Sequence, residues 1–117
     1  MIKIYGIKNC DKVRASLKWL KSHDHDFDFI DLREQPQTDA TIEDWLEHFD
    51  LKEILNRRST TWKNLSDTER TDITKEKALN LLKQHPTLMK RPLLVIDEKP
   101  ISLGFSEARY SQFFLET

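Results

Sequence analysis

Hydrophobic and polar positions divide the chain into two strand-bearing ends and a helical middle. An apolar run over positions 1–5 predicts a first strand that stops at Gly6. A helix is predicted from Asp11 onward, and its apolar positions are Val13, Leu17 and Leu20, with Trp19 beside them. Alternating apolar residues over 27–32 predict a second strand. A strand–helix–strand succession of this kind favours a βαβ unit with parallel strands.

The middle of the chain, roughly residues 38–86, shows only helical periodicity. One helix is predicted from the apolar positions Ile42, Trp45, Leu46 and Phe49, and a short helical turn is predicted over 50–56. Residues 57–62 are predicted as a loop. Ser66 and Glu69 have the spacing of a capping box, which predicts a short helix. A further helix over 74–84, with Ala78, Leu81 and Leu82 inward, ends before a proline.

The C-terminal end returns to a strand pattern. Residues 93–96 and 100–103 predict two strands joined by a turn, and Ser106 can cap a last helix. The candidate inward residues of that helix are Ala108, Phe113 and Phe114. The order is that of an α/β, thioredoxin-like fold, βαβ…ββα, with a helical insertion. We therefore expect residues 1–117 to form a single domain.

Composition narrows the class of protein. The chain is 38% hydrophobic and 33% charged, which is typical of a folded globular protein. Its net charge of -1 creates no global field that would attract nucleic acid or an anionic membrane. A single cysteine cannot form an internal disulfide, and no signal peptide is apparent, so a cytoplasmic location is expected. His23 and His25 lack a cysteine and the spacing of a metal site, so no metal is expected.

The only cysteine, Cys10, lies at the predicted turn between the first strand and the first helix. A thiol at this position meets unpaired backbone N–H groups and the positive end of the helix dipole. Lys8 and Lys12 flank it. These features favour the thiolate, which is the reactive form of cysteine. The pattern indicates that Cys10 is a nucleophile.

A proline just before the third strand is the second candidate site feature. In a thioredoxin-like layout this proline faces the cysteine and often follows a cis peptide bond. Pro92, preceded by Arg91, has that position in the sequence. The expectation of a cis bond comes from the layout, because only about 5% of X–Pro bonds are cis.

Four segments of the chain resemble the ArsC/Spx family, the arsenate-reductase-like proteins, and within it the branch called YffB-like. They are Tyr5-Gly6-Ile7-Lys8-Asn9-Cys10-Asp11, Arg58-Ser59-Thr60-Thr61-Trp62, Lys90-Arg91-Pro92-Leu93-Leu94 and Leu103-Gly104-Phe105-Ser106. They occur in the order and at the spacing of the family, over almost the whole chain.

The resemblance implies a function and a set of site residues. It implies a glutathione-dependent thiol reductase in which Cys10 attacks an oxyanion or a disulfide sulfur. Arg58 and Arg91 would hold anions near the thiolate, and Pro92, Asn9 and Lys8 would complete the substrate or glutathione site. Glutathione would be a co-substrate, with no bound cofactor, and glutaredoxin a further partner. A monomer is expected, acting on a small oxyanion or thiol substrate.

Two departures from the family pattern bear on the alternatives. Arsenate reductases have a third arginine after the hairpin, and residues 103–106 contain none, which weakens arsenate as the substrate. Spx-like regulators often have a second cysteine at the position of Val13, so a redox switch of that kind is disfavoured. An Spx-like regulator that binds RNA polymerase and a true arsenate reductase remain the alternatives to the reductase.

Overall fold

The computed structural model describes residues 1–115, and the chain forms two compact units. The first unit contains Met1–Asp31 and the segment that begins at Arg91, and the second contains Leu32–Lys90. The predicted insertion, roughly 38–86, lies inside the second unit. That the whole chain is one domain stays a prediction.

A four-stranded sheet organises the first unit. Its strands are β1 (Ile2–Gly6), β2 (Asp28–Asp31), β3 (Leu93–Ile96) and β4 (Lys99–Leu103). Their order across the sheet is β2-β1-β3-β4. Strands β1 and β2 are parallel, whereas β3 is antiparallel to both β1 and β4. The predicted α/β, thioredoxin-like arrangement is therefore confirmed.

Two helices, α1 (Asp11–Ser22) and α7 (Glu107–Phe113), belong to the same unit. A core cluster joins them to the sheet through Ile2, Ile4, Trp19, Leu20, Leu94 and Tyr110. Burying these side chains stabilises the fold by about 25 cal/mol per Å² of apolar surface removed from water. This layer therefore sets how α1, and with it the turn before α1, lies against β1.

The buried faces of these helices differ in part from the predicted ones. In α1 the small polar residue Ser16 is buried, and its hydroxyl pairs with the Tyr110 hydroxyl at 2.8 Å. Leu17 is half-buried and packs against the core cluster. In α7 the prediction that Ala108 points inward is wrong. Tyr110 is the buried residue of that helix, since its large ring fills the core beside Trp19, and Ala108 is exposed.

The β3–β4 hairpin has a two-residue turn, Asp97 and Glu98. Both residues have positive φ angles, 50° and 68°. Two consecutive residues in this left-handed region are typical of the turns that match the twist of a hairpin. The Asp97 carboxylate pairs with the N-terminal amine at 2.7 Å. The turn predicted over 97–99 is therefore confirmed at Asp97 and Glu98, whereas Lys99 already belongs to β4.

The second unit is helical. Its helices are α2 (Asp39–His48), α3 (Leu51–Ile54), α4 (Thr60–Asn64), α5 (Asp67–Arg70) and α6 (Lys75–Gln84), followed by a 3₁₀ turn at Pro86–Leu88. The capping box predicted at Ser66 and Glu69 is present. The prediction of a loop over 57–62 is wrong in its second half. Helix α4 forms there because the Ser59 hydroxyl accepts a hydrogen bond from the Trp62 N–H and caps the helix.

The core of the second unit follows the predicted periodicity of α2 and α6. Its buried residues on these helices are Ile42, Trp45, Leu46, Ala78, Leu81 and Leu82. Backbone hydrogen bonds then join Asn56 to Leu88 and Lys90 to Ile54, at 2.8 Å each. Across the described part of the chain, no helix has both the length and the hydropathy to span a bilayer. The cytoplasmic location stays a prediction.

Candidate functional site

Cys10 is the N-cap residue of α1. Its backbone is extended, and its carbonyl accepts the first hydrogen bond of the helix from the Arg14 N–H at 3.0 Å. The Cys10 side chain is half-buried and makes no capping hydrogen bond. The first N–H groups of a helix carry partial positive charge, so this position favours a negatively charged group. Cys10 is thus partly exposed and lies where a negatively charged group is stabilised.

The turn that carries Cys10 follows the end of β1. Within it Ile7 is buried, whereas Lys8 and Asn9 are exposed. Gly6 is the last residue of β1, directly before the turn, and a side chain would not fit at this position. A Cβ atom on Gly6 would lie 2.6 Å from a methyl group of Val13. The close approach of β1 to α1 therefore depends on glycine at position 6.

Two residues outside the predicted site hold this turn. The Lys8 N–H donates to Oδ2 of Asp31 at 3.0 Å, and Nη1 of Arg14 donates to the Lys8 carbonyl at 3.2 Å. Arg14 also forms an ion pair with Asp11. Sequence reasoning missed Asp31 and Arg14. A signal for Asp31 was available, since it ends β2, and the carboxyl ends of parallel strands meet at one edge of a sheet.

Arg91 and Pro92 lie at that same edge. The register pairs Tyr5 with Leu93, so Pro92, which directly precedes Leu93, lies beside the end of β1. The Arg91–Pro92 peptide bond is cis, as predicted, and Pro92 is fully buried. The Pro92 carbonyl accepts a hydrogen bond from the Gly104 N–H at 2.9 Å. Arg91 is half-buried, with a buried Nε atom.

The first unit thus brings together several of the predicted site residues. The turn with Lys8, Asn9 and Cys10 follows β1, and the Arg91–Pro92 peptide precedes β3, which is the neighbouring antiparallel strand. Their roles toward a substrate stay predictions. The geometry establishes that a half-buried thiol, a helix N-terminus and the segment with Arg91 belong to one edge of the sheet.

Arg58 belongs to the second unit. Its backbone N–H donates to the Asn56 side chain at 3.1 Å, and it directly precedes the cap of α4. Its neighbour Arg57 lies over the ring of Trp62, with 5.3 Å between the guanidinium carbon and the ring centroid. Arg58 is exposed, and its role in binding an anion stays a prediction.

His23 and His25, where no metal site is expected, contact aromatic rings. His23 stacks on Trp19 with 3.9 Å between ring centroids, and His25 lies 4.5 Å from Phe114. Among residues 1–115, no group of three His, Cys, Asp or Glu side chains could hold a metal ion.

Comparison with known proteins gives a consistent family match. The ArsC family model matches residues 5–113. A protein of Haemophilus influenzae that has no assigned function is 39% identical over 97% of this chain and 99% of its own length. The global transcriptional regulator Spx of Lactiplantibacillus plantarum is 26% identical over 97% of this chain and 86% of its own length.

A solved structure of a protein called YFFB has a similar fold. It superposes with a TM-score of 0.89 at 28% sequence identity and covers 96% of this chain and 97% of its own chain. The resemblance to the ArsC/Spx family and to its YffB-like branch is therefore confirmed.

Proposed function

Because the chain belongs to the ArsC family, we propose that it is a thiol–disulfide oxidoreductase that uses Cys10 as nucleophile and glutathione as electron donor. The observation that supports this best is the position of Cys10, half-buried at the N-terminus of α1. Lys8 and Asn9 lie next to the thiol in the same turn, and both residues are exposed to solvent. Arg58 and Arg91 would bind glutathione carboxylates, which accept paired hydrogen bonds from guanidinium groups.

The proposed reaction uses one protein thiol and two molecules of glutathione. The Cys10 thiolate attacks a disulfide RS–SR′, forms a Cys10–S–SR bond and releases R′S⁻, which takes a proton. A glutathione thiolate then attacks the Cys10 sulfur, releases RS⁻ and leaves a Cys10–glutathione disulfide. A second glutathione thiolate attacks the glutathione sulfur, which regenerates the Cys10 thiolate and yields oxidised glutathione. The net change is RS–SR′ + 2 GSH → RSH + R′SH + GSSG.

Replacing the thiol tests this proposal. We expect Cys10→Ser to lower glutathione-dependent reduction of a small disulfide by at least about 100-fold, because a hydroxyl is far less nucleophilic than a thiolate at neutral pH. The melting temperature should stay close to that of the wild-type protein, since Cys10 is only half-buried and makes no side-chain cap. The matched control is Ser111→Ala, an exposed hydroxyl on α7. Full activity of Cys10→Ser would contradict the proposal.

A second candidate is a regulator that acts through a protein partner, because a relative over 97% of the chain is a global transcriptional regulator. This candidate predicts stoichiometric binding to purified RNA polymerase that Cys10→Ser leaves intact. The reductase predicts turnover that Cys10→Ser abolishes.

Running the turnover assay with arsenate in place of the disulfide, with glutathione and glutaredoxin present, tests arsenate reduction. The absence of arginine from residues 103–106 disfavours that activity.

A further inference from the structure

The turn between β1 and α1 needs polar contacts to hold its shape. Ile7 is its buried apolar side chain, while Lys8 and Asn9 are exposed. An exposed turn backbone exchanges hydrogen bonds with water and samples several conformations unless side chains restrain it. Cys10 follows this turn directly, so the freedom of the turn sets the freedom of the thiol.

Lys8 is restrained on both sides of its backbone by side chains from two different elements. Asp31, at the end of β2, accepts a hydrogen bond from the Lys8 N–H at 3.0 Å. Arg14, in the second turn of α1, donates to the Lys8 carbonyl at 3.2 Å. The turn is thus tied to the sheet through its N–H and to the helix through its carbonyl, two residues before Cys10.

Asp31 is a buried charged residue at a position where an apolar side chain could fill the same space. Its side chain belongs to a residue that is 5% exposed, and burying a carboxylate costs free energy unless hydrogen bonds replace its water. The register pairs Asp31 with Gly6, the residue at which the turn begins. The Lys8 N–H is one hydrogen-bond donor that offsets this cost.

Arg14 contributes little to the stability of the fold by itself. Its side chain is 58% exposed, and its ion pair with Asp11 lies on the helix surface, where such pairs contribute about 0–1 kcal/mol. The contact of its guanidinium with the Lys8 carbonyl is the feature that connects it to the turn.

We propose that Asp31 and Arg14 are positioning residues for Cys10, which act by restraining the Lys8 backbone. This inference rests on the proposed function in one respect, that Cys10 is the nucleophile. Thiol–disulfide exchange requires the attacking sulfur to align with the S–S bond, so it is sensitive to misplacement of the thiol. Alkylation by a small reagent has weaker demands on orientation. Loosening the turn should therefore slow exchange more than alkylation.

The test compares two reactions of Cys10 that need no glutathione: exchange with a chromogenic aromatic disulfide and alkylation by iodoacetamide. Asp31→Ala and Arg14→Ala should each slow exchange about tenfold, while alkylation slows by less than about threefold. Asp31→Asn keeps an oxygen that can accept the Lys8 N–H and should retain exchange within about twofold of wild type. Lys18→Ala, an exposed cation on the same helix, is the matched control.

Each outcome decides the proposal. Equal losses in both reactions would show that the variants change thiolate chemistry and not position, and would overturn it. So would unchanged exchange in Arg14→Ala, or an Asp31→Asn variant as slow as Asp31→Ala. If Asp31→Ala does not fold, Arg14→Ala decides alone, because its side chain is exposed. Since neither reaction involves glutathione, failure of the wild-type protein to turn over glutathione would count against the proposed function and leave this comparison intact.

Discussion

At the scale of single residues, Gly6 shows how closely the Cys10 turn is packed. We expect Gly6→Ala to lower the free energy of unfolding by about 1–3 kcal/mol, the usual cost of forcing extra volume into a packed site. The added Cβ would lie 2.6 Å from Cγ2 of Val13. Urea denaturation of Gly6→Ala, Val13→Ala and the double variant measures the interaction free energy between positions 6 and 13. The double variant should be more stable than the sum of the single effects predicts, and strict additivity would contradict this account.

Tyr110 links one residue to the pH dependence of the fold. Burial raises the pKa of Tyr110 to about 12, partly offset by its hydrogen bond with Ser16. In the unfolded chain the phenol loses its proton near pH 10, so between about pH 10 and 12 the folded state binds more protons and stability falls as pH rises. A shift of this size corresponds to about 2–3 kcal/mol. Below pH 10 the contribution is fully present.

We therefore expect Tyr110→Phe to be less stable than wild type at pH 8, because Ser16 loses its partner, and to lose less stability between pH 10 and 12. Denaturant unfolding at pH 8 and at several pH values between 10 and 12 measures the free energy of unfolding of each protein. If the two proteins lost the same amount of stability between pH 10 and 12, the buried Tyr110 phenol would not be the cause of that loss. Burial also raises the pKa of Tyr5, so Tyr5→Phe serves as a comparison with a smaller expected effect.

At the scale of elements, the second residue of the hairpin turn, Glu98, disfavours the geometry of that turn. Glu98 has a φ angle of 68°, a region that glycine adopts without steric cost. We expect Glu98→Gly to raise the free energy of unfolding by about 0.5–1 kcal/mol, because the left-handed backbone costs a residue with a Cβ about 1–2 kcal/mol. Glu98→Ala removes the charge but keeps the Cβ, so it should not stabilise. Equal stabilisation by both variants would point to the charge instead.

At the scale of the whole molecule, the order of the sheet predicts where the first unit is most protected. Strands β1 and β3 are each hydrogen-bonded on two sides, whereas β2 and β4 are the edges. We expect amide hydrogen exchange in the first unit to be slowest at β1 and β3, by about tenfold or more over β2. Exchange followed by NMR would show this. Equal protection in β2 would mean that the edge does not open independently.

Local patterns in the sequence were sufficient to predict the strands, most of the helices and the position of Cys10 before α1. Period-two and period-3.6 patterns depend on local geometry, so they predicted four strands and the helices α2 and α6 with their buried residues. The Ser66 capping box and the Cys10 turn were readable for the same reason, because each is made by residues a few positions apart. The position of Pro92 before β3 followed from the order of the elements.

Which polar groups contact each other depended on how distant segments of the chain pack together. Ser16 and Tyr110 are 94 positions apart, and their hydrogen bond joins two polar groups inside the core that the apolar pattern did not predict. Asp31 contacts the turn before Cys10 because the parallel pairing of β1 and β2 places the end of β2 beside Gly6. Hydrophobic periodicity tells which face of an element is inward, but the partner of a buried polar atom depends on how elements from distant parts of the chain are packed together.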